Sequence, residues 1–231
     1  MMDNPIYAAA ALIVPLVIAI VFHEVAHGWV ASLLGDPTAR DLKRLSLNPI
    51  RHVDPIGTLV LPGMLALAGA PVFGWAKPVP VNKGRLRNPR LGMMAVAAAG
   101  PGTNLLLALA GAVLLGLLWS NYNGLQQPTG VMEFVEYSLR SFILINIFLA
   151  LFNMLPIPPF DGSHIVEGIL PQKLAAGYDR LRPLGFPLLF LILIVIPWLL
   201  PQFKILEWVL LPPVTWLSEH YFAVTRLVAG A

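Results

Sequence analysis

PIYAAAALIVPLVIAIVFHEVAHGWVASLL runs from residue 5 to residue 34. Pro5 to Phe22 carries no charge, and His23, Glu24 and His27 then follow without a break in the apolar pattern. About 20 apolar residues suffice to cross the hydrocarbon core of a bilayer as a helix, so the stretch is of membrane length. Gly35-Asp36-Pro37 is a helix stop followed by a turn, which sets a first helix from about Ile6 to Leu34. His23 lies roughly 25 Å along it at 1.5 Å per residue. Two histidines four residues apart share one helix face and can hold one metal ion, with the glutamate between them beside it as a candidate general base. The bland alternative is a chance triplet on a helix face. Ionisable groups at this depth cost roughly a few kcal/mol each on insertion scales, so a His/Glu/His set inside a span reads as functional by default.

Composition widens this reading. Of 231 residues, 57% are hydrophobic and 12% charged, with a mean hydropathy of +0.75. Soluble domains carry about 25% charged residues, so the expectation is an all-α polytopic membrane protein. The leading apolar stretch is like the core of a signal peptide. It has no basic flank, however, and cleavage would discard or abut the His/Glu/His set, so it is expected to be retained. The absence of cysteine excludes disulfides and thiolate ligands; any zinc must be held by His, Asp, Glu or water. The net charge of +3 is distributed by membrane topology rather than for nucleic acid.

Further apolar stretches predict helices at about Leu91 to Asn121, Phe134 to Pro156, Leu184 to Leu200 and Ile205 to Tyr221, for about five to six transmembrane helices in all. Ile56 to Phe73 is apolar but broken by Pro62, Gly63, Gly69 and Pro71. Irregular backbone survives at membrane depth only where protein or trapped water satisfies it, so this segment reads as a re-entrant hairpin or half-helix. Charge agrees. Arg40, Lys43, Arg44, Arg51, Lys77, Lys83, Arg85, Arg87 and Arg90 all lie between the first helix and Leu91, whereas Asn121 to Val131 has no Lys or Arg. Lys173, Arg180 and Arg182 follow Asp161. If Ile56–Phe73 does not cross, every basic loop falls on the cytoplasmic side. The N-terminus is then outside the cell membrane, and His23 lies in the cytoplasmic half of the bilayer.

A catalytic zinc takes three protein ligands and keeps one open position. The segment Asn153-Met-Leu-Pro-Ile-Pro-Pro-Phe-Asp161-Gly162 closes the third predicted span at the depth and side inferred for His23 and His27. Its prolines break the helix, and Asp161 is the candidate third ligand. Read alone, Asp-Gly after prolines is ordinary turn chemistry.

Together these motifs resemble the site-2 protease family of intramembrane zinc metalloproteases, peptidase family M50. The resemblance extends to Gly100-Pro101-Gly102-Thr103-Asn104 in the middle core helix. It also covers Leu47-Asn48-Pro49, His52 to Gly57 and Gly74 to Val81, which are similar to the compact bacterial branch. No part of the chain resembles an inserted PDZ or CBS domain. The resemblance implies a three-helix catalytic core over residues 1–162, with a re-entrant β-loop between the first two core helices. Residues 163–231 then form a C-terminal connection and two accessory spans of the same single domain. It further implies one zinc ion bound by His23, His27 and Asp161, with Glu24 as the base that activates water and passes its proton to the leaving amine. Asn153, Pro158 and Pro159 would engage substrate, and a hairpin over Phe73–Asn82 would pair with it as an added strand. The expected partners are transmembrane proteins or peptides and the lipid bilayer.

Other residues carry weaker signals. His52 and Asp54 are candidates to orient a metal ligand, set against a solvated loop histidine and a turn aspartate. His164 reads as a polar residue at a helix start. Asn104 is a candidate oxyanion donor or a helix-packing amide, like Asn146. Gly100, Gly102, Gly111 and Gly116 read as sites of close helix approach. The rival function is a membrane metal transporter or sensor using the same His/His/Asp set without hydrolysis. Such a protein has no need of Glu24.

Overall fold

A computed structural model describes residues 4–67, 74–121, 129–200, 202–203 and 205–230, and every regular element among them is helical. In chain order these are α1 (Pro5–Leu33), α2 (Thr38–Asp41), α3 (Leu61–Leu67), α4 (Pro89–Ser120), α5 (Val131–Asn153), α6 (Asp161–Ile169), α7 (Gln172–Asp179), α8 (Gly185–Phe190), α9 (Ile196–Leu199) and α10 (Ile205–Ala229). Two long helices begin where the sequence supplies a cap. Asn4 Oδ1 accepts the Ile6 N–H ahead of Pro5, and Asn88 Oδ1 accepts the Leu91 N–H ahead of Pro89. The end of α1 is set by Gly35, whose φ of +109° suits glycine.

Among the described residues, three helices, Ile6–Leu33, Pro89–Ser120 and Val131–Asn153, are long and apolar enough to cross a bilayer. Only 28–33% of the most apolar window of each is buried within the protein, so their outer faces call for lipid rather than water. The chain is a membrane protein.

Helix α4 is the hub, packing against α1, α5, α6 and α10. It runs antiparallel to α1, since His23 meets Asn104 while His27 meets Val96. It is also antiparallel to α5, where Asn104 meets Asn146 and Trp119 meets Glu136. Helix α10 lies parallel to it: Tyr221 Oη donates to Leu105 O at 3.2 Å, and Thr225 Oγ1 to Ala112 O at 3.0 Å. The core is apolar and small-residue-rich, with Ala108, Ala112, Leu115, Ile143 and Ile147 buried. Gly111 seats Phe142 and Ile143, and Gly116 seats Thr225 and Val228, as expected of close helix approach. Gly102 differs: a Cβ there would meet nothing within 4 Å.

The predicted span at Leu184–Leu200 forms α8, a wide turn over Leu191–Val195 and α9, pieces of 6, 5 and 4 residues. They follow one another without a break, for about 22 Å in all. By contrast α10 continues through Pro212 and Pro213 for 25 residues, past the Tyr221 limit read from sequence, because Thr225 and Val228 dock on α4. The Ile56–Phe73 segment begins as a wide turn, Pro55–Val60, and continues as α3. Its last residues, 68–73, lie outside the described part. After it, residues 74–82 form a strap without regular secondary structure and with no partner strand among the described residues. The hairpin expected from Phe73 to Asn82 is therefore not seen as paired strands among the described residues, and Phe73 itself lies outside them.

Candidate metal centre

His23 and His27 project from α1 towards α4, and Asp161 opens α6 opposite them. Their donor atoms form a small triangle. The two Nε2 atoms are 3.0 Å apart, and Asp161 Oδ2 lies 3.1 Å from that of His23 and 3.3 Å from that of His27. Local sequence makes the approach feasible at two glycines. A Cβ on Gly100 would lie 2.5 Å from His27 Nε2 and 2.6 Å from His23 Cε1, so α4 can back the imidazoles only without one. A Cβ on Gly162 would lie 2.2 Å from Met154 O, so α6 can start against the end of α5 only as Asp-Gly. Gly100 thus makes room for the ligand rings as well as for a helix.

Hydrogen bonds fix the tautomers. Val96 O can only accept, so His27 Nδ1 donates to it at 2.7 Å. For His23 the chain of reasoning begins at two other carbonyls. Asn146 Nδ2 donates to Phe142 O at 2.8 Å, which turns its Oδ1 towards Asn104. Asn104 Nδ2 donates to that oxygen at 2.8 Å and to Ala19 O at 3.2 Å, leaving Asn104 Oδ1 to accept from His23 Nδ1 at 2.6 Å. Both imidazoles therefore carry their protons on Nδ1 and turn lone pairs at Nε2 inward. Asp161 Oδ2 is buried and has no hydrogen-bond partner. Three donor atoms converge within 3.3 Å of one another, an arrangement that a cation would satisfy. Tetrahedral zinc with bonds of about 2.0–2.1 Å separates its donors by roughly 3.4 Å, close to the distances here. The donor set fits such an ion. Asn104 has both amide hydrogens engaged, by Ala19 O and Asn146 Oδ1, and turns its Oδ1 to His23.

Glu24 stands outside the triangle. Its Oε2 accepts the main-chain N–H of Val79, in the strap, at 2.8 Å. The strap is anchored along its length. Trp75 N–H donates to Gly57 O at 3.1 Å, Lys77 N–H to His52 O at 2.8 Å, and Asn82 N–H to Asp36 Oδ2 at 2.5 Å. Arg44 Nη2 donates to Lys77 O at 2.9 Å. Burial raises the Asp36 carboxyl, but bonds from Thr38 and Asn82, with Arg85 nearby, outweigh it and hold the group below its ordinary value.

The other predicted residues lie elsewhere. His52 is buried, but its Nε2 donates to Ser46 O at 2.7 Å, and Asp54 caps the Pro55–Val60 turn through the N–H groups of Ile56 and Gly57. Both support the strap's neighbours, and neither contacts the ligand histidines. Asn153 closes α5 and donates to Leu149 O at 3.0 Å. Pro158 and Pro159 lie in the turn before Asp161, with Pro158 packed on Gly185. His164 faces Arg182 and Glu167 rather than the metal ligands. Burial, then Arg182, lower it to about 4. Lys83 donates to Glu167 at 2.6 Å, and Arg182 also pairs with that carboxylate, fastening α6 to two loops. Sequence reading missed Val79, Gly28 and Asp36. The Pro78-Val79-Pro80 triplet was the available signal, because it isolates one N–H between two residues that have none.

The description "Peptidase family M50" belongs to a family model that matches residues 126–195, the stretch carrying α5 and Asp161. A protein of Bacillus subtilis (strain 168), "Putative zinc metalloprotease YwhC", is 38% identical over 193 residues, covering 84% of each chain. A second, "Putative zinc metalloprotease Rip2" of Mycolicibacterium smegmatis (strain ATCC 700084 / mc(2)155), is 27% identical over 176 residues, 76% of this chain and 62% of its own. No solved structure matches the chain.

Proposed function

The chain belongs to peptidase family M50, the site-2 protease family, and from that membership we propose that it is a zinc endopeptidase acting inside the membrane. It hydrolyses peptide bonds within or next to transmembrane segments of other membrane proteins. The observation that carries this reading is the convergence of three candidate ligand atoms, from His23, His27 and Asp161, beside a glutamate that is not one of them. These residues would hold one zinc ion, which when bound supplies Lewis acidity towards a water molecule and a peptide carbonyl. Glu24 takes the proton of the attacking water and returns it to the leaving amine. Asn104 and Val96 hold the two imidazoles in the tautomer that presents Nε2. Asn153, Pro158 and Pro159, by resemblance, engage the substrate, which must be extended for its peptide bond to be attacked. A metal carrier has no use for a tethered, non-ligating glutamate, so the transporter reading gains no support.

The membrane arrangement follows from helix directions and charge. Helices α1, α4, α5 and α10 cross, while Pro55–Leu65 and residues 185–199 approach from the basic end without crossing. This reading has four crossings, against the five to six expected from sequence. The N-terminus is outside, and the metal centre lies in the cytoplasmic half of a cell membrane.

Cleavage of single-span test proteins in proteoliposomes, wild type against Glu24→Gln, tests the function. The expected result is loss of cutting in the variant with zinc content unchanged. Equal cutting by both proteins would overturn the role of Glu24, and no cutting by zinc-loaded wild type across a broad panel would overturn the protease reading.

A further inference from the structure

We propose that the main-chain N–H of Val79 is the positioning group for the catalytic base, holding one oxygen of Glu24 so that the other is the one free to take a proton. The inference rests on the protease reading and adds a residue that no sequence motif assigned. Three observations meet at this contact.

First, the bond itself is short and sheltered, at 2.8 Å from Val79 N to Glu24 Oε2. Secondly, the strap can offer nothing else there. Pro78 and Pro80 have no N–H, so Val79 supplies the only main-chain donor between Lys77 and Val81. Thirdly, the side chain of Val79 is keyed to the same face of α1. Gly28 lies one turn beyond Glu24, and a Cβ on it would come 2.7 Å from Val79 Cγ1, 2.6 Å from Leu45 Cδ2 and 2.9 Å from Ala39 Cβ. Val79 is only 6% exposed. Its side chain fills the notch at Gly28 while its N–H reaches Glu24, so the two contacts fix the strap in register with the base. Asp36, further along the same stretch of chain, grips the strap again at the N–H of Asn82.

The physical consequence is orientation. A glutamate side chain has three rotatable bonds, and a base that samples many rotamers spends little time aligned for proton transfer. One charge-assisted hydrogen bond from a fixed amide selects a narrow set. The same strap is the segment expected to seat an extended substrate, so substrate registry and base registry are referred to one piece of backbone.

Two measurements test this on the full-length protein. Within Pro78-Val79-Pro80 there is a single exchangeable backbone amide, so hydrogen exchange followed on valine-labelled protein reads the bond directly, without activity. The Val79 amide is expected to exchange about 10-fold or more slowly in wild type than in Glu24→Ala, the loss of one hydrogen bond's protection. Equal rates would overturn the contact. The second measurement replaces the Val79 amide by an ester, which removes the N–H and keeps the side chain. The expected result is a fall in kcat of about 10- to 100-fold with KM, zinc content and melting temperature held. A wild-type kcat in the ester would overturn the positioning role, as would a matched loss of zinc, which would show a merely structural bond. A protected Val79 amide in a wild type that cuts nothing would separate the outcomes: the protease reading would fail, and the positioning role with it, while the contact stood.

Discussion

Replacing Gly100 by alanine should separate folding from metal binding. In a helix interior, Gly→Ala favours the helix by about 1 kcal/mol, so secondary structure should gain. At this position, however, the new Cβ would lie 2.5 Å from His27 Nε2, and 2.6 Å from both His23 Cε1 and His27 Cε1. Ordinary contact begins near 3.4 Å, so the rings or the helix must move by about 0.9 Å. Neither imidazole moves freely, because each is tied through Nδ1 to Asn104 or Val96. Metal sites tolerate only about 0.2 Å in their bond distances, several times less than this displacement. Zinc affinity should therefore drop by at least about 100-fold, at the upper end of the cost of disturbing a ligand's support. The assay is zinc stoichiometry by elemental analysis after dialysis against a chelator of graded strength, beside circular dichroism in the same detergent. Retained helicity with lost zinc is the expected pair. A Gly100→Ala protein that holds zinc with wild-type affinity would refute the packing argument and with it the described ring positions.

The remaining predictions concern the groups around the triad. Asn104→Leu removes the acceptor for His23 Nδ1 and frees that imidazole to choose its tautomer, so zinc affinity should fall about 10- to 100-fold; unchanged affinity in a chelator competition would count against the relay. His164 supplies a pH dependence. Its folded value, lowered to about 4 from 6.5, means the unfolded chain binds a proton first as pH falls. Stability should therefore decline between pH 6.5 and 4 and level off below, by at most about 3 kcal/mol. His164→Gln should remove that part of the slope in thermal melts; an identical slope in both proteins would refute it. Gly28→Ala, which crowds Val79, should lower turnover while leaving the metal ligands in place, read by kcat against zinc content.

Much of the site was written locally. His23, Glu24 and His27 share one helix turn, where 3.6-residue periodicity decides which side chains meet. Asp161 was legible because it closes a span of known direction, and membrane thickness converts span ends into depth. Less legible was everything that depends on contact across the fold. His52 and Asp54 lie near the end of α1 in sequence, yet their bonds go to Ser46 O and to the Pro55–Val60 turn, since loop direction is not encoded in spacing. Hydropathy also marked 184–200 as a span. Its apolar content was right, and it is helical, but as α8, a wide turn and α9 rather than as one regular α-helix.

By itself, then, the sequence determined a helical membrane chain and pointed to His23, His27 and Asp161 as one metal-binding group, because each follows from periodicity, bilayer thickness or donor chemistry within a single segment. Only the tertiary structure decided that Asn104 Oδ1 faces His23 Nδ1, that α10 lies parallel to α4, and that the isolated amide of Val79 meets Glu24. Those outcomes depend on which carbonyl, glycine notch or carboxylate is opposite across a helix interface, and that pairing exists only once the long-range contacts have formed.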